Sequence, residues 1–205
     1  MSLNKYLSRQ LSSPEGAGGK VVSFFMNRIN CPMYEETIRL LSLADSDSVL
    51  DIGCGNGYVL NMIARRHSGA FTGIDLSASM VDAANQRNRQ FVESGRMRFA
   101  CQDLSAMSFA SGSFSKVYTI NTVYFWDDLE NVMAEISRVL EPNGLFANTL
   151  YSNDALSKLP HTKYGYKCFT QEQLTTAGTN AGFKVNTVPI PGGAAFCYLY
   201  QKTAE

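Results

Sequence analysis

One nine-residue stretch constrains the fold of this chain more than any other: Val49-Leu50-Asp51-Ile52-Gly53-Cys54-Gly55-Asn56-Gly57. Its short apolar run reads as a buried strand, and the alternate glycines then allow a tight turn into a helix. Glycine adopts left-handed backbone angles without steric cost and leaves no Cβ in the path of a ligand. The helix expected next, from Tyr58 to His67, would offer unpaired N–H groups to an anionic group.

The rest of the chain repeats this alternation. Strands are expected at 49–52, 70–74, 96–100, 114–120 and 144–150, with helices at 58–67, 78–92 and 128–140 between them. Strand–helix–strand order implies right-handed crossovers and a mostly parallel sheet covered on both faces. Ahead of it, Cys31-Pro32 opens a helix to about Leu43, since proline suits a first helical turn. A final helix at 171–181 ends at Gly182, which can supply a left-handed cap. Strands at 183–188 and 195–200 have only Pro189-Ile190-Pro191-Gly192-Gly193 and one more residue between them, too short for a parallel crossover, so they are expected to pair antiparallel. Residues 1–19 read as a flexible arm and 20–29 as a short helix-like segment.

Composition narrows the class. Eighteen basic and eighteen acidic residues cancel, which gives no sign of a nucleic-acid or anionic-membrane partner. The five cysteines are widely spaced without a CxxC pair, an argument against a disulfide framework or zinc site and for reduced thiols. No apolar run reaches the roughly 20 residues of a membrane helix, and the start lacks a signal-peptide core. The expectation is a cytoplasmic protein without a metal.

Three acidic positions give the glycine turn its chemistry. A glycine turn alone is compatible with NAD, FAD, S-adenosylmethionine or a bare corner. A dinucleotide fingerprint would place glycine at 58, where Tyr58 stands. Asp51, two residues before the first glycine, would repel a pyrophosphate but can help anchor an ammonium group, directly or through water. Asp75 ends the second strand in Gly73-Ile74-Asp75-Leu76-Ser77, near the spacing of a ribose-binding carboxylate. Its alternative role is helix capping, for which Ser77 is the better candidate. Asp103, in Cys101-Gln102-Asp103-Leu104, can accept from an adenine amino group while the Leu104 N–H donates to the ring.

In this order, VLDIGCGNG at 49–57, GIDLS at 73–77, CQDL at 101–104 and the block from FSKVYTINTVYFWDD to LEPNGL at 114–145 resemble the class I S-adenosylmethionine-dependent methyltransferases over about residues 30–200. Within that family the chain looks similar to the small bacterial enzymes that resemble ubiquinone/menaquinone-biosynthesis C-methyltransferases. The resemblance implies an α/β, Rossmann-like, doubly wound seven-stranded sheet, mostly parallel with the last strand antiparallel. Residues 1–30 are expected as an N-terminal arm and short helix, and 31–205 as the methyltransferase domain with a lid-like insert at about 151–168. The donor-binding candidates are Asp51, Gly53, Gly55, Gly57, Asp75, Leu76, Met80, Asp103, Leu104 and Asn121. Met80 has packing on a helix face as its equal alternative.

The acceptor would sit beyond the fourth strand, where Asn121 can present its amide and carbonyl. Tyr124 and Trp126 are candidates to wall a small-molecule pocket, with packing as the alternative; Phe125 is expected to pack. Tyr34, Tyr164 and Tyr166 complete the pocket candidates, on two pieces expected to close over it. Candidate bases are weak: His161 in the insert, and Tyr124. His67 is expected in solvent, Asp127 as a helix cap, and Cys54 has no activating neighbour in sequence. The rival readings are a nicotinamide-dependent oxidoreductase, opposed by Tyr58 and Asp51, and a donor-binding protein that has lost transfer.

Overall fold

The structure is a computed structural model that describes residues 26–204. The arm at 1–19 and the segment to residue 25 lie outside the described residues; residues 26–29 are helical. Seven strands form one sheet: β1 (Ser48–Ile52), β2 (Ala70–Asp75), β3 (Met97–Cys101), β4 (Phe114–Ile120), β5 (Leu140–Tyr151), β6 (Phe183–Pro189) and β7 (Ala195–Lys202). Their order is β3-β2-β1-β4-β5-β7-β6. β1 to β5 run parallel, and β7 lies antiparallel between β5 and β6. The expected sheet and its terminal hairpin are therefore both present. Strand order reverses between β1 and β4, and ligands of open α/β sheets gather beyond the carboxyl ends at such a point.

Among the described residues, besides the helical residues 26–29, the strands are accompanied by α1 (Cys31–Leu41), α2 (Tyr58–Ala64), α3 (Ala78–Arg87), α4 (Arg89–Glu93), α5 (Leu129–Val139), α6 (Asn153–Ser157) and α7 (Gln171–Asn180). Side chains alternate across a strand, so consecutive residues feed two cores. Val49, Phe71, Tyr118 and Ala147 join Met33, Ile38 and Leu41 of α1 and Leu60 and Ile63 of α2 on one face. Leu50, Ile74, Val117 and Phe146 join Met133 and Ile136 of α5 and Leu174 of α7 on the other. The sheet is thus covered on both sides, as a parallel sheet requires.

Three local departures from the sequence reading have physical causes. The helix expected over 78–92 divides at Asn88, a fully buried side chain that donates to Gly57 O at 3.1 Å and Ala84 O at 3.0 Å. Its Oδ1 also accepts from Asn61 Nδ2 at 2.8 Å, which ties the break to the glycine turn. β5 begins at Leu140 rather than near Gly144: a register shift against β4 between Phe114 and Lys116, with Asn143 at φ 60°, lets Glu141-Pro142-Asn143 run within the strand as a bulge. Asp128, not Asp127, caps α5, its side chain accepting from Asn131 N; Asp127 instead pairs with Lys167 at 2.7 Å.

Candidate active site

A cavity of about 240 Å3 opens at the strand-order reversal, on the small side for a ligand site. Ile52 and Gly53 of the β1 end, Ile74 and Asp75 of β2, and Ile120 and Asn121 of β4 bring it together. The turn after β1 is held from below, since the N–H groups of Gly53 and Cys54 both donate to Ile74 O, at 2.8 and 2.9 Å.

The glycines of that turn do different work. All three have positive φ. A Cβ on Gly53 would strike Thr122, and one on Gly57 would strike Asn88, Ala84 and Phe99, so these two are required by packing. Gly55, at φ +51°, has nothing within 4 Å of a built Cβ and lines the cavity. Its open side is a place where a ligand can meet the backbone.

Asp75 is pinned beside it. One carboxylate oxygen accepts from Gly55 N and the other from Ser77 N, both at 2.9 Å. Burial raises its pKa, and these two hydrogen bonds oppose the rise. Each oxygen retains acceptor capacity toward the cavity. Ser77 occupies the N-cap position of α3 without a side-chain cap bond, so Asp75 rather than Ser77 satisfies a backbone N–H there. Leu76 is 66% exposed and lines the cavity together with Leu104, an apolar pair on the donor side.

Asp51 is turned inward. It is buried, accepts from the Tyr118 hydroxyl at 2.7 Å, and does not line the cavity. Burial pushes its carboxyl up to about 7, the Tyr118 hydrogen bond lowers it, and nearby Asp75 raises it further. Cys54 beside it is also buried, with a thiol pushed well up by burial, the wrong direction for a nucleophile.

The other half of the cavity is walled by rings. Tyr124 and Tyr166 lie 5.4 Å apart between centroids, Phe125 and Tyr166 4.9 Å, and His161 and Tyr166 6.1 Å. Tyr124 hydroxyl donates to Asn121 Oδ1 at 3.1 Å and accepts from Tyr151 N at 2.6 Å. The Tyr151 hydroxyl in turn donates to Asn30 Oδ1 at 2.7 Å, linking the β4 and β5 ends to the residue before α1. Burial drives the Tyr124 phenol far above its ordinary range, so it stays protonated and is no base. Leu156, Leu159, His161 and Thr162 roof this half from α6 and the 3-10 turn Pro160–Lys163. Lys167 fastens the end of the roof: its N–H donates to Tyr124 O, and its ammonium to Trp126 O, both at 2.9 Å.

Residues 49–144 match the family described as "Methyltransferase domain". The chain is 30% identical over 107 residues to an O-methyltransferase of Pyrenophora dematioidea, covering 52% of this chain and 40% of that protein. It is 37% identical over 98 residues to the sterol 24-C-methyltransferase erg-4 of Neurospora crassa, covering 48% and 26%. The chain spans less than half the length of these curated relatives. The geranyl diphosphate C-methyltransferase of Streptomyces coelicolor A3(2), solved with S-adenosyl-L-homocysteine, superposes with a TM-score of 0.72 at 17% identity, over 91% of this chain and 84% of that one. Residues 49–144 are thus similar to methyltransferase domains, and the fold is the one seen in the geranyl diphosphate enzyme.

Of the donor candidates, Gly53, Gly55, Asp75, Leu76, Leu104 and Asn121 line the cavity. Asp51, Gly57, Met80 and Asp103 do not. Asp51 and Gly57 support the turn from behind, and Met80 is 2% exposed on the inner side of α3, which favours its packing role. Asp103 is exposed and spends one oxygen on Ser105 N and Oγ, while its neighbour Gln102 lines the cavity instead.

Among the acceptor candidates, Tyr124, Trp126, Tyr166 and His161 line the cavity; Tyr34 and Tyr164 do not. Tyr34 is buried against Tyr58 at 6.0 Å in the α1–α2 core, and Tyr164 is exposed. Phe125, expected to pack only, lines the cavity as well. Tyr151, Leu156 and Leu159 were missed, because a strand end and a roof helix reach the site only through the fold. Among the described residues, no group of His, Cys, Asp or Glu is placed to hold a metal.

Proposed function

We propose that this chain binds S-adenosylmethionine along the glycine turn and methylates a small-molecule acceptor held under the 153–166 roof. The observation that carries the reading is the pairing of an open, left-handed Gly55 with a pinned Asp75 at the strand-order reversal. When bound, the donor supplies a methyl group on a positively charged sulfur. Its adenosine and methionine parts fit these residues: Asp75 keeps acceptor capacity for ribose hydroxyls, Leu76 and Leu104 offer apolar surface to a base, and Gly55 leaves room at the backbone. Asp51, behind the turn, adds negative character to the site only as its carboxyl ionises, near pH 7.

The remaining residues position and shield. Tyr124 holds the Asn121 amide oxygen, which fixes a left-handed residue (φ 60°) at the β4 end. Leu156 and Leu159 exclude water, and exclusion of water together with alignment supplies much of the acceleration in a displacement of this kind. The roof acts as a closing piece, and the Tyr151–Asn30 hydrogen bond ties the β5 end beside it to the residue before α1.

The names of similar proteins support a small-molecule acceptor: an O-methyltransferase, a sterol methyltransferase and a geranyl diphosphate methyltransferase. The test is transfer of a labelled methyl from S-adenosylmethionine across a library of small acceptors. Label found in at least one acceptor is the expected result. Donor binding without transfer to any acceptor would reduce the chain to a donor-binding protein.

A further inference from the structure

The acceptor half of the cavity has a composition that selects a substrate. Its walls are Tyr124, Phe125, Trp126, Leu156, Leu159 and Tyr166, and among the described lining residues no lysine or arginine occurs. The one carboxylate in the lining, Asp75, lies on the donor side and already accepts from two backbone N–H groups. A phosphate or carboxylate brought here would give up hydration without meeting a cationic side chain among the described lining residues. A cationic acceptor would face the positive charge of the donor. Apolar surface, by contrast, can pack against the aromatic and aliphatic side chains that line this half.

The polar atoms of this half are unequally occupied. The hydroxyls of Tyr124 and Tyr151 are committed to Asn121, the β5 backbone and Asn30. Thr162 donates within the roof, to Leu156 O or Leu159 O. The His161 imidazole touches the Tyr166 ring, and its nitrogens have no hydrogen-bond partner among the described residues.

We propose that the acceptor is an uncharged, flat, largely apolar molecule whose hydroxyl donates to His161. This rests on the methyl-donor reading above. The Tyr166 ring touches His161, and Tyr124 lines the same cavity; neither carries charge at neutral pH, since burial raises both phenols. Burial also lowers the His161 pKa, which keeps its imidazole neutral and able to accept. On methylation the acceptor oxygen would bond the methyl carbon, that carbon's bond to the donor sulfur would break to leave the neutral thioether, and the imidazole nitrogen that accepted from the hydroxyl would keep its proton.

The experiment uses the full chain and four probes of one shape: 2-naphthol, 2-methoxynaphthalene, 2-naphthoate and 2-naphthylmethylammonium. S-Adenosylhomocysteine binding is measured first by calorimetry, and each probe is then titrated into the saturated protein. The expected result is tightest binding of 2-naphthol, with both ions at least about tenfold weaker, about 1.4 kcal/mol. In His161→Leu, the preference for 2-naphthol over 2-methoxynaphthalene should disappear while S-adenosylhomocysteine affinity is unchanged. Failure to bind S-adenosylhomocysteine would remove the donor reading itself. With that binding intact, the inference is overturned by either ion matching 2-naphthol, by 2-naphthol not binding, or by an unchanged hydroxyl preference in His161→Leu.

Discussion

Replacing Asp51 by asparagine should make the protein more stable at alkaline pH while weakening its donor site. The carboxyl is buried against Tyr118, and burial lifts its pKa from 3.8 to about 7. Between those values the folded state keeps a proton that the unfolded chain has released, so stability falls as pH rises through this window. About three units at about 1.4 kcal/mol each give a pH-dependent penalty on the order of 4 kcal/mol, fully expressed above pH 8. Well below pH 3.8 both states are protonated and the term vanishes. Asparagine can still accept from Tyr118 but brings a buried N–H, a roughly pH-independent cost of about 1–3 kcal/mol. Urea unfolding of both proteins from pH 4 to 8.5 isolates the Asp51 contribution as the change in their difference. The asparagine variant should gain about 4 kcal/mol relative to the parent across that range, and its S-adenosylhomocysteine affinity should fall. A difference that stays flat with pH, or moves the other way, would refute the account of a buried carboxyl whose ionisation opposes folding.

Other substitutions separate binding from packing. Gly55→Val places a side chain in open space at φ +51°, so it should cost about 1–2 kcal/mol of left-handed strain yet abolish S-adenosylhomocysteine binding in calorimetry. Gly57→Ala should cost more stability than that, measured by urea unfolding, because its Cβ meets Ala84 and Phe99. Asp75→Asn removes charge-assisted acceptance and should weaken S-adenosylhomocysteine by about 1.5–3 kcal/mol, roughly ten- to hundredfold. Asn88→Leu leaves Asn61 without its buried partner and should destabilise by about 2–4 kcal/mol in the same unfolding assay.

Much of the sheet was legible because strand periodicity and glycine placement are local signals. Val49 to Gly57 announces a strand, a turn and a helix, and the short link between β6 and β7 leaves only an antiparallel pairing. Boundaries failed where a side chain overrode propensity. Asn88 breaks a helix through a bond to Gly57, far away in sequence, and the bulge at Glu141–Asn143 depends on pairing with β4. In the site, Gly55 and Asp75 were readable because a turn and a strand end fix their positions. Asp51 was identified as an acidic feature of the turn, but its inward rotation depends on Tyr118, on a neighbouring strand. The acceptor wall was least legible. Tyr151, Leu156 and Leu159 carry no motif and meet Tyr124 only once β5 lies beside β4.

The central claim is that this glycine turn holds a methyl donor rather than a dinucleotide. Calorimetric titration of the full chain with S-adenosylmethionine, S-adenosylhomocysteine and NAD tests it most directly. One-to-one binding of the first two, abolished in Gly55→Val, with no heat from NAD, is the result the account predicts. Saturable NAD binding with no binding of either methyl-donor compound would contradict it.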